Sequence, residues 1–448
     1  MRCTDRISEL DDFLLTHILS FRPTKEAVLT RKLSRRWRNV WASVPVLDFN
    51  FADFWSDDIF LGFGSLTSVS PHSQCHDNFV TFIDSVLASR QAQQVDSFRL
   101  VWKYQVKSYQ NYDHPVRRWI LLLQQQRPRV LSIYVQPNFA KVDVPDVAFT
   151  CTTLEDMKLQ VDNRMAEVLN PAAVNLPHLR RLNIGYFTIK ADFMDKLLLG
   201  CPNLKELELY ACVLQLSQIS CGNLKSLVVA SCCHGEDIRV SIPSLCTLKV
   251  TVGSSQTAGF NFENMSSLVK ACVCFLTDPE WDFAFSDSET KILNGLSGVM
   301  DLDVVLHGEG SEDMLKHALK NCPNFVNLRI VRFESFKGCL CGCLEAINRL
   351  VQHSPVLEDL IFYGFEDESI YIELVTVLRF IVGGHGNCRL VESMLAHNFG
   401  SLEEVEELSF QHMKCSVKMM DILYAGLQEK AWWDDYVEGE TAHFDERV

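Results

Sequence analysis

The sequence predicts an α/β protein: three N-terminal helices followed by an irregular solenoid, with parallel strands on the concave face and helices and loops on the convex face. Three observations carry this. An apolar frame, L-x-x-L-x-L at Leu204, Leu207 and Leu209, recurs along most of the chain. Residues 5 to 49 follow a helical period instead. With 448 residues and 47% hydrophobic composition, the chain can bury a large core.

In the opening stretch, Ser8 and Asp11 are spaced as a capping box ahead of a helix through Leu19. Leu10, Leu14 and Ile18 form one stripe at helical spacing, Leu15 and Leu19 a second, and Phe13 adds to the apolar surface. One stripe suffices to fold against two following helices, so the other is left for an external partner. Pro23-Thr24 starts a second helix through about Lys32, and Ser34 caps a third carrying Arg35, Arg36, Trp37 and Arg38. The basic run from Arg31 reads as a solvated face around a buried Trp37. On residues alone the bundle is either a docking module or a polar-faced cap on the solenoid.

Certain short motifs narrow that choice. They are Asp5-Arg6-Ile7-Ser8, Leu10-x-Asp12, His17-Ile18-Leu19-Ser20-Phe21, Pro23-Thr24-Lys25-x-Ala27-Val28, Leu33-Ser34-x-Arg36-Trp37-Arg38, and Trp41 with Val44-Pro45-x-Leu47-Asp48-Phe49. Together they resemble the F-box in its plant form. The departures are Asp11 in place of the usual Pro, Arg22 in place of Leu, and Arg31 and Lys32 at positions often small or apolar. The resemblance implies docking through Leu10, Leu14, Ile18, Leu19, Phe21, Pro23, Leu33 and Trp37 to a Skp-type adaptor, and through it to a cullin-based ubiquitin ligase.

Residues 50 to 77 read as a loop, and Asn78 as the cap of a helix with Phe79, Phe82, Ile83, Val86 and Leu87 on one face. The repeat frames then begin. They fall at Val95, Phe98, Leu100; Val130, Ile133, Val135; Leu154, Met157, Leu159; Leu179, Leu182, Ile184; and the index frame at Leu204. They continue at Leu224, Leu227, Val229; Leu245, Leu248, Val250; Leu268, Ala271, Val273; Val299, Leu302, Val304; Phe325, Leu328, Ile330; and Leu357, Leu360, Phe362. Their spacing, about 20 to 35 residues, is centred near the leucine-rich-repeat period. Three residues past the frame, Phe187, Cys212, Cys232, Phe333 and Phe365 suggest a column turned back into the core, with Asp162, Gly253 and His307 as breaks. Each repeat buries about three large apolar groups worth roughly 1.5–3 kcal/mol each, and only stacking makes that burial possible.

Wide spacings leave room for convex helices around Phe193, Leu197 and Leu198, Met314 to Leu319, and Leu344 to Val351. Between Leu204 and Leu268 the narrower spacing predicts loops or 3₁₀ turns. The stretches around Trp119 and Phe149 also resemble early repeats of plant F-box/leucine-rich-repeat proteins. Four segments follow: an F-box at 1–50, a leading loop and helix at 51–90, the solenoid at 91–365, and a repeat-like cap with an acidic tail at 366–448. From Ser401 onward there are twelve acidic and four basic residues.

The formal charge of −15 argues against nucleic acid or an anionic membrane as the main partner. No apolar run is long enough to span a bilayer and no signal-peptide core follows Met1, so a cytoplasmic or nuclear protein is expected. The 17 cysteines fit small hydrophobes in a reducing compartment. Cys339-x-Cys341-x-Cys343 lacks the second pair that structural zinc needs, and Gly383-Gly384-His385-Gly386 lacks a phosphate-cradling form. No catalytic residue, metal or cofactor is expected.

Concave side chains between the buried positions are the candidates for target binding: Glu206, Glu208, Tyr210, Asn327, Arg329, Asp359 and Tyr363. The expected function is a substrate-recognition subunit of an SCF-type cullin ubiquitin ligase that binds a protein target for ubiquitination. The alternative is a leucine-rich-repeat scaffold whose F-box-like helices act outside the ligase. A hormone-receptor role would need a basic cofactor pocket, for which the sequence shows no basic cluster.

Overall fold

The computed structural model describes residues 7, 9–54, 71–90, 94–103, 115–138, 142–163, 167–253, 259–277, 288–335 and 343–363. Helix α1 (Asp12–Leu19) starts one residue after Asp11, whose carboxylate accepts from the Leu14 N–H at 2.8 Å. Asp11 is therefore the N-cap itself rather than the far half of a capping box, and Ser8 lies outside the described residues. Helix α2 (Thr24–Leu29) runs into a 3₁₀ turn at Thr30–Lys32. Helix α3 (Trp37–Val40) begins later than Ser34 would place it and has no side-chain cap. Leu15, Leu19, Ala27, Trp37, Val40 and Val44 close a small core between these helices. Arg36 reaches back to Asp12 at 2.8 Å and to the Leu10 carbonyl, tying the ends of the bundle together.

The bundle is built onto the solenoid. Strand β1 (Val46–Asn50) ends the opening stretch; after it come α4 (Pro71–Ser89) and β2 (Ser97–Lys103). β1 pairs in parallel with β2, Leu47 beside Phe98 and Phe49 beside Leu100. The Arg90 guanidinium donates to the Val44 carbonyl at 2.6 Å and the Gln94 carbonyl at 3.0 Å, and burial pushes its pKa down to about 10. The Thr24 hydroxyl accepts from the Asp48 N–H at 2.7 Å. Helix α4 begins seven residues before Asn78, and buries Phe79, Ile83, Val86 and Leu87 as expected.

His76, 3% exposed on α4, packs against Trp102 with ring centroids 5.1 Å apart. Burial lowers its pKa from 6.5, opposed by the hydrogen bond to Asp77. The unfolded chain then takes up this proton more readily than the folded one. The stabilisation is complete above about pH 6.5 and is lost as pH falls, by at most about 1.4 kcal/mol per pH unit. His76→Phe should flatten the decline of melting temperature between about pH 6.5 and 5, measured by circular dichroism; an unchanged slope would remove His76 from the account.

Helix α5 (Val116–Gln125) presents Val116, Trp119, Ile120 and Leu123 inward at i, i+3, i+4, i+7. The Trp119 indole N–H donates to Asp84 on α4 at 2.8 Å. The remaining elements, in order, are β3 (Val130–Asn138), β4 (Asp156–Asn163), β5 (Glu167–Leu169), β6 (Arg181–Gly185), β7 (Phe187–Lys190), α6 (Ala191–Gly200), β8 (Glu206–Tyr210), β9 (Val213–Gln215), β10 (Gln218–Ser220) and β11 (Ser226–Ala230). Then come β12 (Cys233–His234), β13 (Ile238–Ser241), β14 (Thr247–Gly253), β15 (Phe260–Glu263), β16 (Lys270–Leu276), α7 (Ser288–Gly295), β17 (Asp301–His307), α8 (Ser311–Ala318), β18 (Ile330–Ser335), α9 (Leu344–Gln352) and β19 (Asp359–Tyr363).

Among the described residues, twelve strands form one parallel sheet in the order β1-β2-β3-β4-β6-β8-β11-β14-β16-β17-β18-β19. The frame leucines form unbroken inward columns across it: Leu182, Leu207, Leu227 and Leu248 align in register, as do Ile184, Leu209, Val229 and Val250. Two frames differ from their expected register. In β3 the residue beside Phe98 is Leu131, so the frame sits two residues earlier than Val130, Ile133, Val135, and Val130 is half-buried. In β18 the residues beside Leu302 and Val304 are Val331 and Phe333, so the frame is Leu328, Val331, Phe333, three residues later than expected. Phe333 is thus a strand residue rather than a member of the column beyond the strand.

That outer column exists after β6, β8 and β11. Tyr186, Ala211 and Ser231 adopt left-handed φ values of 66°, 47° and 51° and turn the chain out of β6, β8 and β11. Phe187, Cys212 and Cys232 then point inward. The Cys212 thiol donates to Tyr210 and Ile184 carbonyls at 3.3 and 3.5 Å, and the Cys232 thiol to Leu209 and Ala230 carbonyls at 3.4 Å. Here the convex side carries short strands instead of the expected loops or 3₁₀ turns: sheets β12-β9-β7-β5 and β10-β13-β15. Helices α6, α8 and α9 stand where wide spacing predicts them; α7 was not anticipated. Phe365, Cys339, Cys341, the glycine run at Gly383 and the segment 366–448 lie outside the described residues.

Candidate functional site

Two surfaces present the candidate functional side chains. The first is the outer face of the bundle. Leu15 and Leu19 are 0% and 4% exposed, so the opposite stripe faces out: Leu14 (42%), Ile18 (46%) and Phe21 (73%), at i, i+4, i+7. Phe13 and Leu33 are exposed beside them at 77% and 68%, and the His17 ring packs edge-on to Phe21 at 5.0 Å. Leu10 and Pro23 are half-buried. Leu19 and Trp37 lie inside the small core, where they hold the helices and are not presented to a partner. Arg22 is engaged by Glu26 along α2.

The second surface is the concave face of the twelve-stranded sheet, where alternate side chains escape the core. Glu206 is exposed, and Glu208 and Tyr210 are half-buried on this face. Asp359 is also on it, aligned with Ile330, while the Tyr363 side chain lies outside the described residues. Asn327 and Arg329 are not on the face, because a three-residue slip in register exchanges the two sides of a strand. Asn327 lies in the turn before β18 and donates to the Gly298 carbonyl at 3.4 Å; Arg329 pairs with Glu358 at 3.1 Å. Asn203 and Asn223 make the same kind of bridge to Pro177 and Pro202 carbonyls at 2.7 and 3.2 Å. An Asn directly before the first frame leucine is thus a register mark, present at Asn203-Leu204, Asn223-Leu224 and Asn327-Leu328.

The face also holds residues that the frame pattern missed. Arg332 bonds Asp301 at 2.5 Å and Asp303 at 2.9 Å, and Lys270 bonds Asp303 at 3.1 Å, forming a closed charge network over β16 to β18. Toward the other end, Gln160 lies over Gly185, where an added Cβ would approach its Cγ to 2.9 Å. Gln160 donates to Asn183 at 2.8 Å, and Asn183 donates to Glu208 at 2.5 Å. Asp162 accepts from Gln136 at 2.9 Å and Tyr134 at 3.3 Å. Burial and neighbouring acidic groups push the Tyr134 and Tyr186 hydroxyls well above their usual range, so both stay protonated donors.

Among the described residues, no group of three or more His, Cys, Asp or Glu could hold a metal, and no helix is long and apolar enough to cross a membrane. Burial pushes the Cys343 thiol up to about 12, and it donates to the Glu312 carbonyl at 3.6 Å.

A parallel-strand solenoid fronted by a small helical bundle with an outward apolar stripe defines a repeat protein joined to a separate helical module. The F-box domain family matches residues 7–49. A second family, described as FBD-associated F-box protein At5g56370, LRR repeats, matches residues 116–263. The chain is similar to three Arabidopsis thaliana F-box/LRR-repeat proteins. It is 24% identical to At3g58930 over 80% of this chain and 77% of the relative. It is 27% identical to At4g14096 over 81% and 74%, and 27% identical to At3g59170 over 94% of each. The chain thus combines an F-box match with a leucine-rich-repeat match, the combination named in the plant relatives it resembles.

Proposed function

We propose that this protein is a substrate-recognition subunit of an SCF-type cullin ubiquitin ligase. Leu14, Ile18, Phe21 and Leu33 dock on a Skp-type adaptor, with Leu10 and Pro23 at the margin of the contact. The concave face of the solenoid holds a protein target, and holding it near the ubiquitin-conjugating enzyme raises the transfer rate by proximity. The protein itself contributes no covalent chemistry in this reading. The supporting observation is the exposed apolar stripe on α1, in a stretch that matches the F-box family, with the inward stripe already satisfied.

The test is co-purification of the full chain with a plant Skp-type adaptor, wild type against Leu14→Ala/Ile18→Ala. Both side chains are more than 40% exposed, so the double variant should keep its melting temperature within a few degrees. A stable wild-type complex that the variant loses is the expected result. A folded wild type that retains no adaptor would favour a repeat scaffold, with the bundle serving as the solenoid's terminal cap through β1.

A further inference from the structure

We infer that β8 and the Tyr186–Tyr210 pair form an anchor for an extended target segment carrying two basic residues spaced two apart, followed by an apolar or aromatic one. This deepens the target-binding half of the proposed function and rests on it. Glu206, Glu208 and Tyr210 alternate on the concave face of one strand, so their side chains are about 6.7 Å apart along it. That is the spacing at which an extended segment presents residues i, i+2 and i+4 on one side. The Glu206 backbone N–H donates to the Arg180 carbonyl at 3.0 Å, while its carboxylate makes no hydrogen bond or close ion pair among the described residues. Glu208 is held by Asn183 through one oxygen, leaving the other without a partner among the described residues.

The surroundings compensate these two carboxylates only in part, with Arg181 directly beside Glu206 and Lys158 two strands from Glu208. On one side, Arg181 bonds Asp156 at 2.7 Å and is also attracted by the Glu206 carboxylate. On the other, β11 presents Ser226, Val228 and Ala230, which are short and uncharged and leave room beside β8. The half-buried Lys249, two strands from Glu208, has Cys272, Cys274, Glu334 and Asp303 as its electrostatic neighbours, all on strands beyond β14. The aromatic end is preorganised: Tyr186 and Tyr210 pack edge to face at 5.3 Å, and the left-handed turn at Tyr186 places its ring beside this strand end. A neighbouring ring, Tyr134, already has an ammonium above it, the Lys103 Nζ at 5.3 Å from its centroid. Lys205 and Lys225 stand exposed just before β8 and β11, so a longer basic run extending past Glu206 would be repelled there.

The probe is a fluorescein-labelled synthetic peptide with lysines two apart and a leucine two further on, titrated against the full chain by anisotropy without the adaptor. Its controls replace the lysines with glutamates or place them side by side. Glu206→Gln/Glu208→Gln should weaken binding of the spaced-lysine peptide about tenfold, in line with the loss of two charge-assisted contacts. Asp195→Asn, on the exposed side of α6, should leave it unchanged, and Tyr210→Ala should abolish the preference for the leucine. Absence of binding to the wild type, equal binding of adjacent lysines, or the same loss in Asp195→Asn would overturn the inference. Because the adaptor is absent, this outcome is independent of the Leu14/Ile18 result.

Discussion

Leu207→Asp should unfold the solenoid from its centre. Leu207 is 0% exposed and lies in a column with Leu182 and Leu227 directly beside it. An aspartate there would strand a charge among side chains that offer no donor, and the removed leucine alone is worth about 2–5 kcal/mol. A compact domain absorbs part of that by repacking; a repeat array has less freedom, because each repeat is stabilised mainly by its two neighbours. The expected result is loss of cooperative melting by circular dichroism and of native hydrogen-exchange protection in β6, β8 and β11 together. Glu208→Asn, one residue along and on the opposite side of the same strand, should shift the melting temperature by no more than a few degrees. A folded, cooperatively melting Leu207→Asp would show that the aligned columns do not carry the fold.

Trp37→Ala should release the F-box while leaving the repeats folded. The bundle's core has six residues, and Trp37 is the largest of them. Its truncation should cost about 3–5 kcal/mol, comparable to the whole stability expected of so small a unit. Val28, Leu47 and Phe49 belong to the large core, so β1 and the second helix retain support from the solenoid. Hydrogen exchange should therefore rise in α1 and α3 and stay low from β2 onward, and the proposed adaptor docking should be lost with those helices. The variant differs from Leu14→Ala/Ile18→Ala in one measurable respect: it removes binding by melting the helices that present the face. Unchanged exchange in α1 would refute that local core.

The frame made the fold class legible, because each repeat restates the same inward columns and errors in one do not affect the next. What it could not fix everywhere was register. At β3 the reading slipped by two residues, an even number, and Ile133 and Val135 still point inward. At β18 it slipped by three, and the whole strand turned over, bringing Asn327 and Arg329 forward in place of Arg332 and Glu334. Phe325 caused the slip: it is fully buried in the turn, so its hydrophobicity is indistinguishable from that of a frame residue. The short convex strands, two to four residues each, are too brief for a period of two to show. In the F-box, sequence spacing separated two stripes on α1 but could not say which one the other helices would take. Only burial of Leu15 and Leu19 decides it, and Leu19 and Trp37 pass from the contact surface to the scaffold beneath it.

Because β1 is both the end of the F-box and the first strand of the sheet, the protein works as a ruler. Its zero mark is the strand that leaves the bundle. Each strand added in the sheet advances position by about 4.8 Å. The steps β1-β2-β3-β4-β6-β8 put Glu206 and Glu208 five intervals away, about 24 Å along the sheet. Changing the number of repeats before β8 would move Glu206 and Glu208 by whole intervals relative to the bundle without altering either surface. The distance between the two surfaces is therefore counted in repeats, and it can change independently of the chemistry of either one.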